Sequence, residues 1–537
     1  MRSWLVVAAL LGALVWIRPL LAGTWPHEPV TTPDEAAHYV TGLMIRAYLD
    51  EGFGQHPRAF AEQFYVSYPK VAFGIWPPLF HFVLGGWLWL FGPSFEAAVA
   101  LSAALTVALA FILCWSTRKD LGLALSLAAA AWFASFPDVQ MSTWSVMLDL
   151  PCALLMIGAA IPLGRYLDAA RTSDAVLFAL LAAAAFLTKY NGAALAFVPL
   201  LAVAASRKWH VLMRPNFWLI PVIVLVVAGP WYVMQRDMVQ YASEPVPERH
   251  LVWPAALANL RVIMEQAGAL VLPFILAGTY GRVVRPGANA LWPALFAVGV
   301  SVWVFHSIVY PVTSPRYLIA SYAVWAIFAA AGARWFIDRL IAIEWRRGLL
   351  AQLTAVAAVL AAAVMWTPPM LPARHFAEVT DRVLQLGLAP TSTALVSSDP
   401  IGEGAFVATM AARNLKPRPT VLRATKTLSQ GTWMGLHYAE RFHDSEALSE
   451  WLDRARVDFV VVDDSSIEPH HKRLDAFVQQ SSAWRLESAQ RGIERWPIRL
   501  YHRVEPLPPG KPEFQIDLSY TIRKKLGPSE GSSPQRD

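Results

Sequence analysis

Asp34 and Glu35 are adjacent acids in Thr32-Pro33-Asp34-Glu35-Ala36-Ala37-His38-Tyr39, directly after the apolar stretch Trp4 to Leu21. A carboxylate held just outside a membrane-embedded body is suited to general-base work, for which a simple anchor has no use. The same residues also read as a helix start: Thr31-Thr32 offers a capping hydroxyl, Pro33 suits the first turn, and the helix dipole favours acids there. The two readings are compatible, because a helix start can hold a carboxylate at a fixed place in a cleft. His38 follows Asp34 by one turn and is close enough to touch it.

Other charges are isolated in a similar way. Asp149, in Val146-Met147-Leu148-Asp149-Leu150-Pro151, lies within an apolar stretch. An ionisable group there is costly and is by default a functional candidate; its plainer role is to cap the following helix, with Pro151 in the first turn. Lys189 occupies a tight turn in Phe186-Leu187-Thr188-Lys189-Tyr190-Asn191-Gly192, where it either snorkels to water or awaits an anion. Arg316, in Ser314-Pro315-Arg316-Tyr317-Leu318, begins an apolar run, and its guanidinium can grip a phosphate bidentately. The segment Tyr68 to His81 contains Lys70, Trp76 and the helix-stopping pair Pro77-Pro78. It reads either as an interfacial anchor or as the wall of a groove open to lipid, with Lys70 available for a phosphate.

The elements that must position these residues are membrane helices. Of 537 residues, 56% are hydrophobic and only 16% charged; a soluble domain carries roughly 25%. The formal net charge of +6 could suggest nucleic acid. The basic residues, however, lie in short clusters between apolar runs, which is a topology signal, and no nucleic-acid partner is expected. Both cysteines, Cys114 and Cys152, fall in expected spans, so neither a disulfide framework nor a CxxC metal site is present. Apolar runs of about 20 residues predict eleven spans: 3–22, 96–116, 121–137, 147–165, 174–188, 191–206, 217–234, 262–280, 288–306, 317–336 and 348–367. The first is expected to be an uncleaved signal anchor.

Charge decides the orientation. If Trp76 to Phe91 lies in the interface, the clusters Arg118-Lys119, Arg165/Arg171, Arg207-Lys208/Arg214, Arg282/Arg285 and Arg334/Arg339/Arg346/Arg347 all face the cytoplasm. Asp34-Glu35, the loops at 138–149 and 236–261, Lys189, Arg316 and everything after about Thr367 then share the opposite face. The predicted organisation is a membrane domain over 1–367, an extracytoplasmic α/β domain over 368–505 and a mobile tail over 506–537. Within the α/β domain, Thr393 to Asp399, Thr420 to Arg423 and Asp458 to Asp463 read as strands. Glu403 to Asn414 and Asp444 to Arg456 read as helices.

One or two carboxylates and two or three cations at one membrane face suit a lipid-linked phosphate substrate. The cations would bind the phosphate and stabilise its charge as it leaves; a carboxylate would deprotonate the incoming hydroxyl or amine. A polyprenyl phosphate is already a good leaving group, so no second acid is required, unlike glycoside hydrolysis.

At these residues the chain resembles the GT-C class of integral-membrane glycosyltransferases. It is most similar to the glycosyltransferase 39-type group: protein O-mannosyltransferases and the lipid A aminoarabinose transferase. The resemblance covers roughly residues 1–335. It rests on Pro33-Asp34-Glu35, Trp76-Pro77-Pro78-Leu79-Phe80, Asp149-Leu150-Pro151, Phe186-Leu187-Thr188-Lys189 and Pro315-Arg316-Tyr317-Leu318 in that order. It implies a mainly α, polytopic GT-C fold, a polyprenyl-phosphate sugar donor and an acceptor lipid, glycan or protein outside the cytoplasm, with inversion at the anomeric carbon. It also implies Asp34 as base, Glu35 as its neighbour, Asp149 as a second acid near the acceptor, and Lys189 and Arg316 as phosphate ligands. His38, Tyr68, Trp76, Pro77, Pro78 and His81 would line the substrate groove. Relatives often carry Lys or His just before the Pro-Pro pair, where this chain has Trp76; Lys70 is the candidate substitute. No D-x-D motif accompanies the outer loops, so neither metal nor cofactor is expected.

Compact Ala-rich spans point to a bacterial inner membrane and undecaprenyl phosphate, with the N-terminus cytoplasmic and the α/β domain periplasmic. The alternative is a transporter or flippase of a lipid-linked glycan. It predicts inverted repeats and helices broken near the midplane, whereas the acids here sit at one face. A non-catalytic scaffold leaves Asp34, Lys189 and Arg316 without a common reason.

Overall fold

The computed structural model describes residues 2–22, 25–237, 249–285, 289–311, 313–341, 343–365, 373–413, 415–431, 437–491, 497–508, 510–518 and 524–528. The boundary expected at 367–368, positions 238–248 of the loop expected at 236–261, Asn414 and the end of the tail lie outside them. Two compact units form: Met1–Trp25, Trp76–Phe80 and Val99–Met370 make the first, and Pro26–Ile75, His81–Ala98 and Leu371–Asp537 the second.

The first unit is helical and apolar. Among the described residues five helices are long and apolar enough to cross a bilayer: Phe95–Leu121, Asp149–Ala169, Pro215–Met234, Leu291–Val309 and Pro315–Leu340. Eleven is reached only by also counting shorter apolar helices such as Thr172–Thr188, the helix Glu344–Met365, and a bent pair. That pair corrects the single span expected at 262–280. Val252–Ala267 and Leu272–Val284 meet at 104°. Gly268 ends the first at φ +80, and Pro273 stands in the first turn of the second, so each residue suits its helix end. The run expected over 191–206 is likewise divided, into a 3-10 segment Tyr190–Ala196 and a helix Val198–Ser206. The helix of Pro215–Met234 has only 17% of its apolar window buried, so it presents most of its surface outward, as a lipid-facing helix does. The helix Leu79–Phe91 follows Pro77-Pro78 directly and has 13 residues. At 1.5 Å per residue it is about 20 Å long, well short of a bilayer core of about 30 Å.

The second unit is built on a five-stranded mixed sheet in the order Thr420–Arg423, Thr393–Ser397, Val457–Asp463, Pro497–Arg503, Trp484–Arg491. The first three strands are parallel and the last two antiparallel. All five residues of Thr393–Ser397 are buried, as expected for a central strand covered on both faces. The three strands and two helices read from the sequence in this region are all present, displaced by three residues at most. The helix Pro400–Ala412 follows the central strand, with Asp399 accepting from the Ile401 and Gly402 amides at its start.

The segment 26–75 is built into this unit by paired charges. Glu28, almost fully buried, accepts hydrogen bonds from the Arg374 amide at 2.7 Å and the Ala377 amide at 2.9 Å. Burial pushes its carboxyl above the usual range, against those same bonds. Glu51 pairs with Arg418 and, at 3.3 Å, with Lys416, while Glu62 meets Lys524 at 3.1 Å. Residues Ile516–Leu518 and Lys524–Leu526 pair as a two-stranded antiparallel ribbon.

Candidate active site

In the first unit Lys189 stands where the helix Thr172–Thr188 gives way to the 3-10 segment Tyr190–Ala196. Its own backbone is extended, φ −154 and ψ 147. The turn is closed by Gly192 N donating to Lys189 O at 2.9 Å, and a Cβ on Gly192 would run into the backbone of Ala185 and Phe186. This geometry aims the side chain inward, where it is 7% exposed. Snorkelling to water is therefore not what Lys189 does.

Asp149 opens the helix Asp149–Ala169 but makes no capping hydrogen bond; Leu148 is the cap. Its Oδ1 accepts from Lys189 Nζ at 2.5 Å. Its Oδ2 is buried and accepts no hydrogen bond from any described residue. Arg316, in the 3-10 turn Pro315–Leu318, places Nη1 3.9 Å from Met147 Sδ. Tyr317 links the cations: Lys189 Nζ lies 4.3 Å from its ring centre and the Arg316 guanidinium 5.4 Å, both at cation–π range. Asp149, Lys189, Asn191, Arg316 and Tyr317 line one cleft. Three charges from distant points in the chain thus line a single cleft.

The second unit separates the two acids at the chain's start. Glu35 is fully buried, and its Oε2 accepts from Val30 N at 2.9 Å and from Thr31 N and Thr31 Oγ1 at 2.8 Å. Its carboxylate folds the preceding loop back onto the helix Pro33–Ala47. Asp34, one residue earlier in the same first turn, is half-buried and the more accessible of the two. Thr32 is the cap, as the sequence pattern suggests, with its hydroxyl 3.4 Å from Glu35 N. His38 Nδ1 lies 3.0 Å from His81 Nε2, so these two groove candidates share a hydrogen bond.

Lys70 is set among charges that sequence reasoning did not connect. Glu403, wholly buried, accepts from Arg423 Nε at 3.0 Å, from Thr425 N at 2.9 Å and from Thr425 Oγ1. Arg423 Nη1 also reaches Pro69 O at 3.5 Å. Gly404 leaves the space that the lysine fills: a Cβ there would lie 2.9 Å from Ala36 Cβ, 3.2 Å from Lys70 Cε and 3.4 Å from Lys70 Nζ. Burial, then the Arg423 guanidinium, holds the Lys70 ammonium well below the usual lysine range, against the pull of Asp34 and Glu403. Lys426, close by, is pushed down to about 8, mainly by burial. Tyr68 is buried against Phe64, with ring centres 5.2 Å apart. Trp76, Pro77 and Pro78 belong to the first unit, where Trp76 is half-buried and Pro77 buried.

Sequence reasoning passed over Glu28, Arg374, Glu403 and Arg423. The available signal was a charged residue inside an apolar pattern, Glu403 in Gly402-Glu403-Gly404-Ala405-Phe406, but its partner comes from the next strand.

Across 95% of this chain and 100% of the other, the architecture superposes on the crystal structure of ArnT from Cupriavidus metallidurans bound to undecaprenyl phosphate, with TM-score 0.60 and 14% identity. This chain has the GT-C fold. The apo ArnT structure from the same organism matches equally well, with TM-score 0.60 and 16% identity over 95% of this chain and 99% of that one. The oligosaccharyltransferase of Archaeoglobus fulgidus, solved with zinc and sulfate, matches at TM-score 0.50 and 15% identity, over 86% of this chain and 68% of its own. Residues 76–233 of the GT-C chain also match the family model of dolichyl-phosphate-mannose-protein mannosyltransferases. No protein of curated function matches the sequence directly. The resemblance stated from the motifs is therefore borne out in the fold, a multi-pass membrane body with a small α/β domain.

Proposed function

We propose that this protein transfers a sugar from a polyprenyl-phosphate donor to an acceptor on the extracytoplasmic face of a bacterial inner membrane. The observation that carries the reading is the cleft in which Lys189, Arg316 and Asp149 meet. Lys189 and Arg316 bring two cations to one cleft among membrane helices, which suits a lipid-borne phosphate. ArnT, whose fold this chain shares, has been solved with undecaprenyl phosphate.

Arg316 takes the phosphate bidentately. Lys189, held in place by Asp149, adds a second positive charge, and both stabilise the phosphate as it departs with the bonding electron pair. Lys70 is the further candidate ligand of the donor phosphate, since a phosphate beside it would favour its charged form. Asp34 removes the proton from the acceptor hydroxyl or amine as that oxygen or nitrogen attacks the anomeric carbon, with inversion. Glu35, with its carboxylate occupied by the loop, and Asp149, occupied by Lys189, hold these parts in place. The positive-inside pattern puts the N-terminus in the cytoplasm and the α/β domain in the periplasm.

The test is transfer in membranes supplied with a polyprenyl-phosphate sugar. Asp34→Asn is expected to lower transfer by about 10²–10⁴ at unchanged expression, and Arg316→Gln to raise the KM for the donor. Full transfer by Asp34→Asn would remove the base from the scheme. A reporter fused after Ala373 that reads as cytoplasmic would overturn the orientation.

A further inference from the structure

A second cleft opens between the turn that ends Val198–Ser206 and the turn Tyr280–Val284. Arg207, Lys208, Arg282 and Arg285 line it, with Ser206 and Ala290. Its depth in the membrane follows from the helix Asp149–Ala169. Asp149 begins this helix and Asp168 nearly ends it; 19 residue steps at 1.5 Å place them about 28 Å apart, close to the thickness of a bilayer's hydrocarbon core. Asp168 accepts from Lys208 Nζ at 2.6 Å and from Ala290 N at 3.2 Å, so this cleft lies at the membrane end opposite Asp149 and Lys189.

The four cations do different work. Lys208 is neutralised by Asp168. Arg282 donates to Asp120 O at 2.9 Å, lies 3.9 Å from its carboxylate and rests over the Trp292 ring. These two are part of the wall. Among the described residues the Arg207 guanidinium makes one hydrogen bond, to Val284 O at 3.4 Å, and its backbone adopts the left-handed φ of +57 that ends the helix. Among the described residues neither Arg207 nor Arg285 has a carboxylate within ion-pair distance, and both are exposed. The concavity therefore carries two uncompensated guanidinium groups. Trp209, Trp218 and Tyr280 stand exposed in the same turns, with Met213 and Val284. Exposed Trp and Tyr beside basic residues mark the headgroup level of a bilayer. A topology signal requires only that basic residues lie beyond the span ends; here they converge on a hollow at headgroup depth.

We propose that this cleft binds the phosphodiester of an anionic phospholipid headgroup, in the leaflet opposite the Lys189–Arg316 cleft. Arg207 and Arg285 contact the phosphate oxygens, and the exposed aromatic and apolar side chains meet the upper acyl chains. The site is separate from sugar transfer and holds whether or not that function is correct.

The test uses the full-length protein reconstituted in equal parts phosphatidylcholine and phosphatidylglycerol, then delipidated and examined by native mass spectrometry. Two guanidinium groups at the surface predict preferential retention of phosphatidylglycerol on the order of 30-fold. Arg207→Gln with Arg285→Gln is expected to abolish the preference, Arg285→Gln alone to reduce it, and the double lysine variant to keep part of it. Arg171→Gln with Arg214→Gln, exposed arginines outside the cleft, is expected to leave it unchanged. Equal retention of the two lipids by the unmodified protein would overturn the proposal. So would an equal loss in the Arg171/Arg214 variant, which would reduce the effect to general surface charge. Protection by inorganic phosphate as effective as that by phosphatidylglycerol would assign the cleft to a free anion and refute the lipid.

Discussion

Removing one member of the Asp149–Lys189 pair tests whether the cleft is held together as described. Both side chains are almost wholly buried, at 1% and 9% exposure, with the charged atoms 2.5 Å apart. Asp149→Leu leaves an ammonium without its carboxylate, and Lys189→Met leaves the reverse; breaking a buried pair in this way costs about 3–5 kcal/mol. Asp149→Leu should fall at the low end, because the Tyr317 ring still faces Lys189 Nζ at 4.3 Å and such a contact is worth about 0.5–2 kcal/mol. The double variant replaces both charges with apolar groups of similar size and should cost no more than about 1–2 kcal/mol. The singles together thus exceed the double by at least about 4 kcal/mol. The assay is equilibrium unfolding of the four proteins in mixed micelles of a mild detergent and dodecyl sulfate. Transfer activity should be lost in all three variants, so recovery of stability without activity separates the pair's structural part from its part in binding. Costs that add to within about 0.5 kcal/mol would refute the reasoning, since the two groups would then not act as a pair.

Other consequences are equally direct. Asp34→Asn should lower the transfer rate by about 10²–10⁴ with unchanged thermal stability, whereas Glu35→Gln should lower stability by about 1–3 kcal/mol through the three bonds its Oε2 accepts. Gly404→Val, which crowds Ala36 and Lys70, should cost about 1–3 kcal/mol and raise the KM for the donor; an unchanged KM would detach Lys70 from the anion. His470 is held down to about 4, mainly by burial, against an ordinary value of 6.5. Between those values the unfolded chain binds more protons, so stability should fall as pH drops from 6.5 towards 4. His470→Asn should flatten that slope in pH-dependent thermal melts.

The membrane body was legible because lipid imposes one rule on every span: the backbone must satisfy itself, and side chains must be apolar. Isolated charges such as Asp149, Lys189 and Arg316 therefore stood out, and their meeting in one cleft followed from a single physical cost. The break at Gly268 was not legible. The apolar run continues through it, and only the left-handed φ of the glycine and the position of Pro273 divide it. The strands Thr393–Ser397, Thr420–Arg423 and Val457–Asp463 were readable as short β-branched runs. Trp484–Arg491 was not, because Arg485, Glu487, Gln490 and Arg491 give it no apolar alternation. The hydrogen bonds that hold Glu35 to the preceding loop were also hidden. Adjacent acids look alike in a sequence, and only the fold of the Val30-Thr31 loop onto one of them tells them apart.

The bonds from Arg374 and Ala377 to Glu28 join residues separated by 346 and 349 positions. A ribosome adding 5–20 residues per second needs roughly 20–70 s to cover that stretch. For all that time the first loop has left its anchoring helix while its carboxylate has nothing to close upon. The helix Pro33–Ala47, with Asp34 in its first turn, must wait for Pro400–Ala412 to be synthesised. A nascent chain halted after the helix Glu344–Met365 but before the sheet is complete would hold every span and still lack the contacts that close its first loop.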